Sequence, residues 1–183
     1  MKGKILLAPI LFLQACAPLM CPEAEDVKRI NSEVLVPNSY EASLSIRYGL
    51  LRLPLYLQKK DGKFTITGEG KTAEFTLDSL CFGGVCLEMP VSPDHLLFGK
   101  VLKGNERLEC TNYGLYFERD DGLFRSRYVF KEGRLNLAEF YDSRKNRALK
   151  LNYLQWSKEG YAKAIRIEGD NLSLLLTVDA LKF

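Results

Sequence analysis

The sequence of 183 residues is poor in the side chains that most often carry acid–base and metal chemistry, because it has a single histidine, His95. It also has no G-x-S-x-G motif, so a hydrolase triad built on His95 would lack its usual nucleophile turn. Asp120 and Asp121 stand before Gly122, and a hairpin turn explains that pattern without a catalytic role. These absences favour binding over catalysis, and we expect neither an enzyme nor a cofactor.

The sequence also lacks a complete phosphate-binding loop. Gly70-Lys71-Thr72 matches only the end of that motif, because Thr65 stands where the motif needs a glycine. The following residues alternate apolar and polar as a strand does, whereas the motif requires a helix. Gly68 to Lys71 is therefore predicted to form a turn between two strands.

An excess of charge of one sign is missing as well. The chain has 26 basic and 23 acidic residues, and its net charge is +3. A nearly neutral protein has no bulk attraction for nucleic acid, so no nucleic-acid partner is expected. The basic run from Arg144 to Arg147 is a local exception at a predicted hairpin tip. Such tips are mostly solvated, and a minority contact anionic lipid headgroups.

The N-terminus has the organisation of a secretory signal. Lys2 and Lys4 precede nine uncharged residues, 5–13, which are too few to span a bilayer as a permanent helix. The run ends in Leu-Gln-Ala-Cys at residues 13–16, which is similar to the lipobox of bacterial lipoproteins. We therefore expect residues 1–15 to be a signal peptide and Cys16 to receive the acyl chains, palmitate among them.

Residues 16–183 are then expected to be one lipid-anchored domain, because 168 residues suffice for a single core. Two or more acyl chains hold a protein stably on a membrane. The lipoprotein resemblance further implies the outer membrane, because Ala17 stands where an aspartate would favour the inner membrane.

Four more cysteines follow, at positions 21, 81, 86 and 110. Cys81 and Cys86 flank a predicted two-residue turn at Gly83-Gly84, and counting outward makes them a facing pair. The Cα atoms of such a pair are about 4.5 Å apart, which is within disulfide range. A metal site is the rival, but the C-x4-C spacing has no histidine near it. We predict a Cys81–Cys86 disulfide, and the pairing of Cys21 and Cys110 is left open.

The remaining pattern predicts a mainly β protein with two helices. Residues 22–36 have apolar positions at helical spacing, and Pro37 ends that pattern. Ser92 is a predicted N-cap followed by Pro93, and the second helix is expected to run to Lys103. Ten to twelve strand segments are predicted, with the 81–86 hairpin counted once, at residues 40–48, 51–57, 63–67, 71–77, 81–86, 107–110, 113–119, 124–130, 134–142, 147–156, 161–168 and 171–178. So many strands favour a strongly curved sheet or an unclosed antiparallel barrel with the helices at its mouth.

The C-terminal half resembles a known family. The stretch from Leu135 to Tyr141, a polar turn, and the stretch from Leu149 to Trp156 are similar to the late meander of the outer-membrane lipoprotein receptor LolB and its periplasmic partner LolA. Residues 164–168 and 172–178 are similar as well. The order of lipobox, helix, strands, mid-chain helix and meander also agrees.

This resemblance implies a helical lid over an apolar cavity that holds the acyl chains of a lipid or of a lipoprotein in transit. The protein would then act as a carrier or chaperone in lipoprotein localisation, facing the periplasm, with a LolA-like carrier as a possible partner. The expected lipid-binding residues are Leu44, Ile46, Leu53 and Leu55 on strands, and Leu97, Phe98, Val101 and Leu102 on the second helix. Two alternatives remain, a structural or assembly lipoprotein that uses the same fold with a filled core, and an envelope enzyme.

One feature departs from the family. In LolB a turn between early strands carries an exposed apolar residue needed for membrane insertion. The corresponding turn here, Gly68 to Lys71, has no apolar tip. The resemblance therefore implies lipid binding more than lipid delivery.

The lipobox generates a direct prediction. Cys16→Ser should abolish metabolic labelling with palmitate and release the protein from membranes, because the sulfur is the expected point of acylation. Unchanged labelling of the variant would show that Cys16 is not the lipidated residue.

Overall fold

The computed structural model describes residues 21, 23–76, 79–82, 85–88, 90–111, 114–169 and 172–183. The expected signal segment 1–15, Cys16 and the Gly83-Gly84 turn lie outside these residues. The described chain forms two short helices, α1 (Glu23–Glu33) and α2 (Pro93–Phe98), and the strands β1 (Tyr40–Tyr48), β2 (Leu51–Lys60), β3 (Lys63–Gly68), β4 (Lys71–Thr76), β5 (Ser79–Phe82), β6 (Val85–Glu88), β7 (Arg107–Thr111), β8 (Gly114–Asp120), β9 (Phe124–Lys131), β10 (Arg134–Asp142), β11 (Arg147–Trp156), β12 (Ala162–Gly169) and β13 (Leu172–Lys182).

The thirteen strands make one antiparallel sheet in the order β6-β5-β4-β3-β2-β1-β13-β12-β11-β10-β9-β8-β7. Consecutive strands are neighbours everywhere except between β6 and β7, which lie at opposite edges of the sheet. The chain between them, residues 89–106, therefore has to pass from one edge to the other. We call residues 90–106 of it the crossing segment, and α2 is its helical part.

The predicted mainly β fold with two helices and an unclosed antiparallel sheet is confirmed. The expected strong curvature is not, because the sheet has two free edges and is neither closed nor strongly curled. Closure of a barrel would require β6 and β7 to pair, and each pairs only with its hairpin partner among the described residues.

The second helix is shorter than predicted. It begins as expected, with the Ser92 side chain accepting a hydrogen bond from the His95 N–H and with Pro93 in the first turn. It ends at Phe98, because Gly99 adopts φ 65° and its N–H donates to the His95 carbonyl at 2.9 Å. A glycine reaches this left-handed conformation without steric cost and so ends the helix, where the sequence pattern had extended it to Lys103.

The first helix is also shorter than predicted and covers Glu23–Glu33. Ala24 and Val27 are buried against the sheet. Beyond the helix, Val34 and Val36 still pack against the core but in non-helical chain. Their apolar character therefore predicted burial correctly, but the prediction that they are helical was wrong. None of the described helices is both long enough and apolar enough to pass through a bilayer.

A disulfide joins Cys21 to Cys110, with their Cα atoms 6.2 Å apart and 89 residues between them in sequence. It ties the chain just before α1 to the edge strand β7. Disulfides persist in oxidising compartments outside the cytoplasm. In the other hairpin, Cys81 pairs with Cys86 in the predicted register. A bond between those two sulfurs stays a prediction.

Peptide mapping without reductant should find two linked pairs, Cys21–Cys110 and Cys81–Cys86. Cys110→Ser should lower the free energy of unfolding by about 2–4 kcal/mol, because the bond closes a long loop and restricts the unfolded chain. Alkylation of both members of a pair in the native, oxidised protein would contradict that pair.

Candidate functional site

One face of the sheet is apolar across most of its strands. Residues that pair directly across strands share a face, so Ala42, Leu57 and Ile66 lie on one side, as do Leu176 and Ile165. The helices pack on this face at one end of the strands only. We call the end under the helices the covered half.

At the other end the same face continues with less cover. Leu44 pairs with Leu55 and Ile46 pairs with Leu53, so these residues continue the row of Ala42 and Leu57. Exposure rises along this row, from 2 % at Leu57 to 39 % at Leu53. We call the partly exposed residues of this end the open strip: Ile46, Leu53, Leu55 and Ile167.

The covered half is closely packed under α2. Leu97 is fully buried and Phe98 is 5 % exposed. The Phe98 ring meets the edge of the Tyr40 ring, with centroids 5.4 Å apart. Gly99 lies so close to Trp156 that a side chain there would collide with the indole. These contacts make α2 part of a solid core.

Asn31 of α1 binds the backbone of the crossing segment where the helix ends. Its side-chain N–H donates to the Gly99 carbonyl at 2.7 Å, and its oxygen accepts from the N–H groups of Val101 and Leu102 at 3.2 and 3.0 Å. These backbone groups lie over an apolar face and would otherwise be desolvated without partners. One buried amide thus holds α1 and the crossing segment together.

A second polar contact holds the start of α2. Lys59 of β2 is 9 % exposed, and its ammonium donates to the Asp94 carboxylate at 2.7 Å and to the Pro37 carbonyl at 2.9 Å. The Tyr40 hydroxyl donates to the other Asp94 oxygen at 3.0 Å. Burial, followed by the nearby Asp94 charge, raises the pKa of Tyr40 far above its usual range, so the hydroxyl stays a donor.

A third polar contact holds the end of the crossing segment. The Arg119 guanidinium of β8 is buried, and it donates to Glu106 at 2.9 Å and to the Val101 carbonyl at 3.1 Å. The Glu106 carboxylate also accepts from the N–H groups of Lys103 and Gly104 at 2.7 and 2.9 Å. Burial alone would raise the pKa of Glu106, but these hydrogen bonds outweigh it and lower the pKa. The pair therefore stays ionised and fixes the segment to β8.

The expected lipid-binding residues separate into two groups in the structure. Leu44, Leu97, Phe98 and Val101 are buried in the core, and Leu102 packs beside it in the crossing segment rather than on a helix. Ile46, Leu53 and Leu55 belong to the open strip. The role of both groups in lipid binding stays a prediction.

Sequence reasoning missed the apolar tip of the β1–β2 hairpin, which lies at the same end as the open strip. Leu50 is fully exposed at this turn, and Tyr48 and Leu51 are about half exposed. Two adjacent leucines after Gly49 break the alternation of the strands and could have revealed the tip. The predicted turn at Gly68 to Lys71 is confirmed between β3 and β4.

The remaining sequence candidates form no catalytic or metal constellation among the described residues. His95 lies on α2, where its carbonyl accepts hydrogen bonds from Gly99 and Tyr153. Asp121 accepts from Arg119, and Asp120 closes the turn by accepting from the Gly122 N–H at 2.9 Å. In the described part of the chain, no three His, Cys, Asp or Glu side chains cluster as metal ligands.

Comparison with known proteins identifies the fold. No protein-family model matches the sequence, and no curated protein matches it. The structure is similar to a LolA superfamily protein from Nitrosomonas europaea, with a TM-score of 0.52 and 16 % identity over 87 % of this chain and 93 % of that chain. The predicted resemblance to the LolA and LolB family is thereby confirmed at the level of the fold.

Two further solved structures are similar at lower scores. One is a candidate outer membrane lipoprotein-sorting protein domain from Vibrio parahaemolyticus, with a TM-score of 0.49 and 11 % identity over 86 % of this chain and 91 % of that chain. The other is a DUF1329 family protein from Desulfovibrio piger, with a TM-score of 0.47 and 10 % identity over 86 % of this chain and 90 % of that chain.

Proposed function

We propose that this protein is a lipid-anchored lipoprotein-sorting factor of the bacterial envelope, which binds acyl chains on the open strip. The observation that carries the proposal is a single apolar face of which one half is closed by a fixed cover and the other half is partly exposed. The LolA-like fold supports a role in handling lipoproteins, and the Cys21–Cys110 disulfide supports a location outside the cytoplasm.

Acyl binding on the open strip requires no covalent chemistry. Each CH2 group moved from water onto an apolar surface contributes about 0.8 kcal/mol. The open strip continues the apolar row of the core. An acyl chain lying along it would contact Leu55 and Ile46 first and then Ile167, which lies further across the same face of the sheet. A chain that is half covered in this way would be held reversibly, as a carrier or receptor requires.

The first described residue, Cys21, and the open strip lie at opposite ends of the strands. Cys110 pairs with Leu115, and that row continues through Phe130 to Leu135, which adjoins Gly99 in the covered half. Five residues from Cys16 to Cys21 reach at most about 18 Å, whereas a ten-residue strand such as β2 is about 34 Å long. In this proposal the open strip and the Leu50 tip point away from the anchoring membrane, toward a soluble carrier that delivers the acyl chain.

The competing function is an envelope assembly protein that uses this fold as an interaction module. The close packing of α2 favours it, because the Leu97 and Phe98 side chains are buried and fill space between that helix and the sheet. The two functions differ at the open strip, which only the first one uses for lipid.

The test is saturable binding of a fluorescent fatty acid to the Cys16→Ser chain. Leu53→Asn should weaken binding by roughly tenfold, because it replaces an apolar contact of the strip with an amide. Its cost in stability should be about 1 kcal/mol, because Leu53 is partly buried, with 39 % of its surface exposed.

Tyr56→Asn is the matched control. Tyr56 is 40 % exposed, close to the 39 % of Leu53, and it stands between Leu55 and Leu57 in the regular part of β2, so alternation places it on the opposite face of the sheet. Equal binding by the Cys16→Ser chain, by its Leu53→Asn variant and by the control variant would favour the interaction module. So would the lack of saturable binding by the Cys16→Ser chain.

A further inference from the structure

A second partly apolar surface involves the crossing segment. It is a cleft of about 490 Å³ between the chain that follows α1 and the crossing segment, and small-molecule sites commonly have volumes of about 300–1,000 Å³. Its apolar lining consists of Val36, Val101 and Leu102. Leu35, next to Val36, is 88 % exposed and extends the apolar surface beyond the cleft.

The charged groups of the cleft are mainly cationic. Lys100 and Lys103 line it. The Lys100 ammonium donates to the Val34 carbonyl at 3.0 Å, which holds it at the cleft and uses one of its three donors. Asp94 is the acid among the lining residues, and its carboxylate is already bound by Lys59 at 2.7 Å and by Tyr40 at 3.0 Å.

The cleft is also rigidly built. Its floor is the backbone of Val101 and Leu102, whose N–H groups are held by Asn31. The Glu106 carboxylate holds the N–H of Lys103 at 2.7 Å and is itself paired with Arg119. Apolar residues beside the Lys100 ammonium, which the Val34 carbonyl holds at the cleft, therefore exist without rearrangement of the chain, and the exposed Lys103 side chain lines the same cleft.

We propose that this cleft binds an amphiphilic anion, with an acyl tail against Val36, Val101 and Leu102 and a carboxylate or phosphate at Lys100 and Lys103. Charge-assisted hydrogen bonds from ammonium groups to such oxygens are stronger than neutral ones. The site is separate from the open strip and does not depend on it, so the protein has two places for lipid, one of which selects for negative charge.

The experiment is photo-crosslinking of the full-length lipidated protein in non-ionic detergent. Three probes carry the same diazirine-labelled sixteen-carbon chain and differ in headgroup: the fatty acid, the fatty alcohol and the lysophosphatidic acid. Peptide mapping should place crosslinks from the two anions within residues 34–36 and 101–102, and fewer from the alcohol.

Lys100→Gln combined with Lys103→Gln should reduce crosslinks from the anions roughly three- to tenfold and leave those from the alcohol unchanged. Lys158→Gln with Lys163→Gln, both exposed and outside the cleft, is the matched control and should change nothing. If the double variant fails to fold, Lys103→Gln alone serves, because the Lys103 side chain is exposed.

The outcomes separate this inference from the proposed function. Crosslinks from both anions identify a site for carboxylate and phosphate, and crosslinks from the phosphate probe alone identify a lipid headgroup site; both support the cleft. Crosslinks only in residues 46–55, or cleft crosslinks equal for acid and alcohol and insensitive to the lysine variants, overturn it while the open strip survives. Crosslinks in neither place contradict both proposals.

Discussion

The passage of the chain from β6 to β7 across the apolar face is the constraint on which the rest of the structure depends. A connection of this kind carries backbone N–H and C=O groups over a surface that offers them no partners. Side chains from other elements form hydrogen bonds with these backbone groups, and Asn31 alone binds three of them. Arg119 binds the Val101 carbonyl from below. The crossing segment is therefore fixed by polar contacts at each stage of its path as well as by Leu97 and Phe98.

A fixed cover changes how the apolar face can be used. Opening it would expose buried leucine and phenylalanine side chains and would leave Asn31, Arg119 and Lys59 without partners that they now hold. Unpartnered buried polar groups cost about 1–3 kcal/mol each, and more when they are charged. The lipid that we propose as ligand would therefore be better accommodated beside the cover than beneath it, on the open strip and in the cleft at the crossing segment.

Local patterns predicted most of the elements. Alternation predicted the bounds of β1, polar turns predicted those of β10 and β11, and facing positions around Gly83-Gly84 predicted the register of Cys81 and Cys86. The family resemblance was also right about the fold. Each of these features depends either on residues that are neighbours in the sequence or on the order of the helices and strands along the chain.

The features that were missed depend on tertiary contacts. Gly99 ends α2 by adopting the left-handed conformation, and its close contact with Trp156, which leaves no room for a side chain, is not visible in the local sequence. Val101 and Leu102 matched a helical face, yet their N–H groups bind Asn31, which is about seventy residues away in sequence. The division between covered half and open strip depends on where the helices lie on the sheet, since alternation marks both halves alike. The pairing of Cys21 with Cys110 is equally non-local.

Backbone hydrogen exchange in the free protein tests the central claim, that the cover is fixed, most directly. The N–H groups of Gly99, Val101 and Leu102 should exchange as slowly as those of the central strands, because they are buried and bonded. Asn31→Ala should speed their exchange by about tenfold or more while β1 and β13 stay protected. Fast exchange throughout residues 96–102 in the unaltered protein, unaffected by Asn31→Ala, would contradict the account and indicate a cover that opens.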